Sequence, residues 1–328
     1  MLRFVLQRLV LLPFLLVVFS IVVFALVQAP PGGFLASYVA TLASSGSSID
    51  AAQVEALRRQ FGLDQPFHVR YFLWVNGLLH GNLGLSLEYQ RPNAELIQQY
   101  LLLTVLLALF SFVLTWVLAI PAGIYSATHP HSALDYLLTV LNYVGVAVPN
   151  FMLALVLMWI AFAWFGLSVT GLFSPEYVQA PWSAARAADL LKHIWLPTLV
   201  LGLAGTARLT RIMRANLLDE LHKPYVVTAR AKGLPEWRLV FKYPVRVAIN
   251  PLVSTIGWYL PQLFSGSLIV ATVMNLPNIG PLLLHALISQ DMYLAGSVLM
   301  IYCFFTVIGT LISDLLLAWV DPRIRMER

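Results

Sequence analysis

Residues 9–27 read LVLLPFLLVVFSIVVFALV, nineteen positions without a charge, sixteen of them Leu, Ile, Val or Phe. At a few tenths of a kcal/mol per apolar residue, inserting such a helix into a bilayer is favoured by on the order of 7 kcal/mol. Nineteen residues at the helical rise also match the hydrocarbon thickness. Arg3 and Arg8 give the stretch the basic flank of a secretory signal. The apolar part of a signal peptide is shorter, however, about 7–15 residues.

Working outward, the same character recurs along the chain. Further apolar runs cover 101–127, 136–165, 194–207, 252–274 and 293–320. The run at 194–207 is short for a span, so it is expected to continue past Arg208, with arginine side chains reaching to the interface. The 328 residues are 59% hydrophobic and 11% charged, with a mean hydropathy of +0.80. A soluble domain carries roughly 25% charged residues, so the surroundings of this chain are largely lipid. The expected fold is an all-α membrane protein of six transmembrane helices.

Between the first two runs lies a polar to mixed segment, 30–99, which opens on Pro30-Pro31-Gly32-Gly33. A short helix is expected after Asp50 as N-cap and before Gly62, and a second over residues 67–79. The organisation read from this is a tail and first span over 1–29, an extracytoplasmic scaffold over 30–99, and a five-helix core over 100–328.

The net charge of +5 is a topology signal rather than a nucleic-acid signature. With a cytoplasmic N-terminus, fourteen of the twenty lysines and arginines fall inside, nine of them in the loop 208–246. Both termini are then cytoplasmic. The single cysteine, Cys303, lies in an apolar run and reads as a small buried hydrophobe. No spacing of cysteine and histidine suggests a metal. The chain lacks a Gly-x-x-x-x-Gly-Lys-Ser/Thr loop, so it supplies no phosphate site of that kind.

The loop segment 219–246, DELHKPYVVTARAKGLPEWRLVFKYPVR, carries the mechanism. Helix formers and small residues over 225–232 end at Gly233, with Pro235 beyond, which describes a two-turn helix. So short a helix is marginal alone in water and needs a surface to rest on. Small side chains at Ala229 and Ala231 would let it sit closely in a groove, where Arg230 and Lys232 meet acidic groups; anionic headgroups are the alternative surface. Composition alone leaves the two open.

In the apolar run 252–274, Ser254, Trp258, Gln262 and Ser265 recur at three- and four-residue steps and share one face, a candidate translocation path. Ordinary helix–helix hydrogen bonding is the plainer reading. Asn142, Tyr143 and Asn150 are weaker candidates. Gly202 and Gly205 allow close helix approach. Asp314 reads as a partner for a basic residue near a span end. Ser267 with His285, the latter expected in or near a loop, is an unspecific pair and a poor case for a membrane hydrolase. No catalytic residue is assigned. A proton-coupled secondary carrier is one transport class open to such a chain, but the charges cluster at span ends and no internal repeat is visible.

The string Tyr225-Val-Val-Thr-Ala-Arg-Ala-Lys-Gly-Leu234 resembles the coupling-helix motif of ABC importer permeases of the dipeptide and oligopeptide branch, which commonly reads Asp-Tyr-Val-Arg-Thr-Ala-Arg-Ala-Lys-Gly-Leu. The opening Leu-Arg-Phe-Val-Leu-Gln-Arg-Leu at 2–9 is similar to that family. So are Gly62-Leu63-Asp64-Gln65-Pro66, Gly81-Asn82-Leu83-Gly84, Arg208-Leu209-Thr210-Arg211, Leu276-Pro277-Asn278-Ile279-Gly280 and Asp321-Pro322-Arg323-Ile324-Arg325. The larger segment after the first span resembles the B-type subunit. Pro224 departs from the usual Asp, Val227 from the usual Arg, and Ala271 and Asn275 from the common run that precedes Leu276-Pro277.

The resemblance implies a type I importer permease fold. Tyr225, Thr228, Ala229, Arg230, Ala231, Lys232, Gly233 and Leu234 would couple it to a cytoplasmic ATPase. It further implies a second, C-type permease, one or two ABC ATPase subunits holding ATP and magnesium, an extracytoplasmic substrate-binding protein and a bacterial plasma membrane location. It implies no cofactor in this chain. Peptides are the default substrate of such systems, with oligosaccharides, nickel chelates and glutathione among similar ones.

Overall fold

The computed structural model describes residues 2–29, 39, 55, 59, 64–167 and 169–320, with side chains apart from those at 2–9, 258, 260, 261, 263–265 and 317–320. Of the helix expected between Asp50 and Gly62, Glu55 and Arg59 alone are among the described residues, both helical. The elements are α1 (Leu2–Gln28), α2 (Phe67–Leu79), α3 (Asn93–Thr128), α4 (Ala133–Ala147), α5 (Asn150–Phe165), a 3-10 turn (Pro175–Tyr177), α6 (Ala184–Leu221), α7 (Pro224–Ala231), α8 (Glu236–Lys242), α9 (Pro244–Ala248), α10 (Asn250–Val273), α11 (Ile279–Ile288) and α12 (Met292–Val320). Among the described residues the sole β pairing is an isolated bridge between Leu85 and Pro92.

Among the described residues, four helices are long and apolar enough to cross a membrane: Val10–Gln28, Asn93–Thr128, Ala184–Leu221 and Met292–Leu316. The run at 136–165 is not the single straight helix its composition suggests. It is α4 and α5, bent by 111° at the break. Pro149 is the cause. A proline disfavours helical geometry at the residue before it, and Val148 is extended, with φ −88° and ψ 124°. The pair would make a fifth crossing. The run at 194–207 does continue past Arg208, inside the 38-residue α6. Pro197 lies within that helix, and Pro121 within α3. His285, expected in or near a loop, sits in the last turn of α11.

The chain forms two compact units. One comprises Met1–Val5, Thr104–Pro277 and Ile308–Arg328. Its axis is α6, against which α4, α5, α9 and α10 pack. Near the middle of α6, Thr115 of α3 donates to the Gly202 carbonyl (3.1 Å) and lies 2.9 Å from the Tyr259 hydroxyl of α10. With its own proton on the carbonyl, Thr115 Oγ1 accepts from Tyr259. A Cβ at Gly205 would overlap the Tyr259 hydroxyl. Only glycine leaves room for this three-helix pin.

The other unit comprises Leu6–Leu103 and Asn278–Val307. Phe24 of α1 packs its ring 5.2–5.4 Å from Phe67, Tyr71 and Trp74 of α2. Ser20 and Tyr71 share a 2.9 Å hydrogen bond. The fully buried Asp291 accepts from Ser86 Oγ (2.5 Å), the Glu88 amide (3.1 Å) and the Leu294 amide (3.1 Å). That carboxylate ties the loop 83–92 to the start of α12. Ser297 and Asn93 reinforce it, both donating to the Leu83 carbonyl at 2.8 Å.

Candidate functional site

The segment 219–248 folds as three short helices at the end of α6. Pro224 stands at the first turn of α7, where its missing N–H costs nothing and its fixed φ suits a helix. Lys232 caps the helix. Gly233 follows at φ +77°, a left-handed conformation that a residue with a Cβ adopts only with strain. Its amide donates to the Arg230 carbonyl at 3.0 Å. Pro235 then begins α8, and Tyr243, with φ −116° and ψ −77°, breaks α8 from α9.

The predicted site residues divide by direction. Val226 and Ala229, three residues apart, point inward and are buried. They join a core with Ala119 and Ala127 of α3, Leu209, Met213 and Leu217 of α6, Leu239 and Val240 of α8, Val245 and Ala248 of α9, and Leu252 of α10. Leu234 packs against the same core. The small size of Ala229 serves packing within this chain, while Ala231 stays exposed. Tyr225, Thr228, Arg230, Ala231, Lys232 and Gly233 are exposed.

The sequence suggests that Arg230 meets acidic groups elsewhere. Within its own chain it pairs with Glu236, through Nε at 2.5 Å and Nη2 at 3.2 Å. This two-pronged contact spans the Gly233 bend and sets α7 against α8. The hydrogen bond from Arg230 holds the Glu236 carboxyl below the usual carboxylate range, and the same bond raises the Arg230 guanidinium. The Tyr225 hydroxyl donates to Glu220 at 2.5 Å. Partial burial, then that bond, push the phenol well above its ordinary value. Thr228 returns its hydroxyl to the Pro224 carbonyl at 2.9 Å.

Residues that sequence reasoning missed lie beside this platform. Asp135, buried at the start of α4, accepts from Arg214 of α6 at 3.2 and 3.0 Å and from the His131 amide at 3.0 Å. The available signal is an acidic residue at the head of an apolar run with Ser132 as its cap. Its partner, 79 positions away, is not legible from that signal.

The proposed pathway face is described in part. Ser254 and Gln262, two turns apart on α10, are exposed, and Ser254 also donates to the Pro251 carbonyl at 2.6 Å. The side chains of Trp258 and Ser265 lie outside the described residues. Elsewhere on α10, Thr255, Tyr259 and Ser267 are buried. Among the described residues no group of His, Cys, Asp and Glu is placed to hold a metal ion.

Comparison with known proteins bears on this geometry. Residues 119–326 match the family described as binding-protein-dependent transport system inner membrane component, and residues 1–92 match the N-terminal region described for such membrane components. The chain is 35% identical over 278 residues to the oligopeptide transport system permease protein AppB of Bacillus subtilis strain 168, covering 84% of this chain and 86% of that protein. It is 30% identical over 339 residues to the dipeptide transport system permease protein DppB of Alkalihalophilus pseudofirmus, covering 99% of this chain and all of that protein. It is 32% identical over 283 residues to the glutathione transport system permease protein GsiC of Escherichia coli K12, covering 86% and 88%.

Proposed function

The chain belongs to the family of binding-protein-dependent transport system inner membrane components, and on that premise we propose that it forms half of the translocation pore of an ATP-driven importer of di- and oligopeptides. The observation that carries the proposal is α7. An eight-residue helix rests on a core shared with α3, α6 and α10 while its polar edge, Tyr225 to Gly233, stays open. A close-packed interior transmits displacement rather than absorbing it. Movement of an ATPase against the open edge is thereby passed to three long helices.

Six crossings complete this reading: α1, α3, the bent pair α4 and α5, α6, α10 and α12. The basic loop 208–246 lies in the cytoplasm with both termini, and residues 30–99 form the extracytoplasmic scaffold. The membrane is the bacterial plasma membrane. The partners are a second permease of the C type, one or two ATPase subunits that hold ATP and magnesium, and an external substrate-binding protein. The exposure of Ser254 and Gln262 supports a pathway along their face of α10, with Trp258 and Ser265 on the same face by spacing. Oligopeptide, dipeptide and glutathione in the names of the relatives are all short peptides, which is the substrate class assigned.

Affinity purification of the tagged chain in mild detergent, with identification of the proteins retained, tests the proposal. A second permease and ATPase subunits are expected, and the ATPase is expected to be lost in Arg230→Glu. Peptide uptake into vesicles holding this chain alone, without ATP, would overturn the reading in favour of a secondary carrier.

A further inference from the structure

Helix α8 presents two faces of different chemistry. Leu239 and Val240 are buried in the core under α7. Trp237 and Phe241, one turn apart, are 65% and 56% exposed. Beside this aromatic pair stand Arg238 and Lys242, again one turn apart. The Arg238 guanidinium lies 5.1 Å from the Trp237 ring centroid, and the Lys242 ammonium 5.4 Å from that of Tyr243. Arg246 adds a third exposed cation on α9. Glu236 is the lone carboxylate between 236 and 250, and it is engaged by Arg230.

Exposed aromatic rings flanked by cations are poorly suited to open water. They fit the boundary where hydrocarbon meets anionic headgroups, where the rings enter the acyl region and the cations meet phosphate. The position agrees. From Lys242 the chain passes through α9 straight into the apolar α10, which begins at Asn250. The exposed edge of α7 differs, carrying Thr228, Arg230 and Lys232 around a single valine, Val227.

We propose that the Trp237–Phe241 face of α8, with Arg238, Lys242 and Arg246, is a seat for anionic phospholipid that holds the three-helix platform at the membrane surface. A seated α8 fixes the depth of α7 through the Arg230–Glu236 contact. The inference needs the chain to be membranous, but not the ATPase reading, and its test involves no transport.

Nitroxide labels would be placed at Trp237→Cys, Phe241→Cys and, on α7, Thr228→Cys, each with Cys303→Ser. The full-length chain would be reconstituted in vesicles of phosphatidylcholine with phosphatidylglycerol. Collision with a water-soluble nickel chelate is expected to be several-fold lower at 237 and 241 than at 228, and collision with oxygen higher. Equal nickel accessibility at the three positions would overturn the proposal. So would shielding at 237 and 241 that arises only when ATPase subunits are added, since that assigns the face to a protein. Because each label on α8 replaces an aromatic ring, the native chain is also exposed to photoactivatable phosphatidylglycerol in the same vesicles. Adducts within residues 236–246 are expected, and adducts confined to other segments would overturn the proposal.

Discussion

Two residues of the platform can be isolated by substitution. Gly233 has φ +77°, and no atom lies within 4 Å of the place a Cβ would take, so its constraint is backbone conformation rather than space. Gly233→Val forces a β-branched residue into the left-handed region and is expected to cost about 1–2 kcal/mol locally. Asn at the same position is expected to cost less. Thermal unfolding of the purified chain in detergent would rank the two. The Arg230–Glu236 contact is open to charge exchange. Arg230→Glu and Glu236→Arg are each expected to loosen the link between α7 and α8, and the double exchange to restore it. Protease protection of residues 230–238 would report this. The contact also has a pH signature. The Glu236 carboxyl titrates below its unfolded value, so the stabilisation is present above the ordinary carboxylate range and is lost as the pH falls through the lowered value. Protection of the link is therefore expected to decline on acidification below about pH 4, and that decline to be absent in Glu236→Gln.

At the scale of elements, the long helices are the easiest part to read and their joints the hardest. The three-helix pin at Thr115, Gly202, Gly205 and Tyr259 fixes where α3, α6 and α10 touch. Gly205→Ala inserts a methyl where the Tyr259 ring already lies, an overpacking expected to destabilise by about 1–3 kcal/mol. Tyr259→Phe is expected to recover part of it by removing the hydroxyl. The loop 83–92 depends on one buried carboxylate in the same way. Asp291→Ala leaves two backbone amides and Ser86 without their acceptor. Hydrogen bonds to a charged group are individually worth about 1.5–3 kcal/mol, so a loss of roughly 3 kcal/mol or more is expected. Calorimetry in detergent would measure it. Neither joint is legible in the sequence. Gly205 reads there as allowing close approach, but not which side chain approaches. Asp291 is an ordinary polar residue between two apolar helices until its donor from 205 residues away is in place.

At the scale of the whole molecule, the proposed topology makes a direct prediction. In a Cys303→Ser background, Ser47→Cys in the proposed scaffold is expected to react with a membrane-impermeant maleimide added to intact cells, and Met326→Cys to react only after the membrane is opened. The reverse pattern would invert the orientation drawn from the lysines and arginines. What the sequence by itself determined is the solvent and the helical class, because transfer of apolar side chains into lipid is a sum over local composition and needs no knowledge of tertiary contacts. The two-turn helix ending at Gly233 and the family were legible there too, since a string of adjacent residues carries both. Only the tertiary structure decided which way each residue of that string points. Ala229 turns into a core built from five other helices, Arg230 turns to Glu236, and the run 136–165 breaks at Pro149 into two helices at 111°. The reason is physical. Direction, pairing and bend angle depend on partners distant along the chain, and those partners are fixed only when the helices pack.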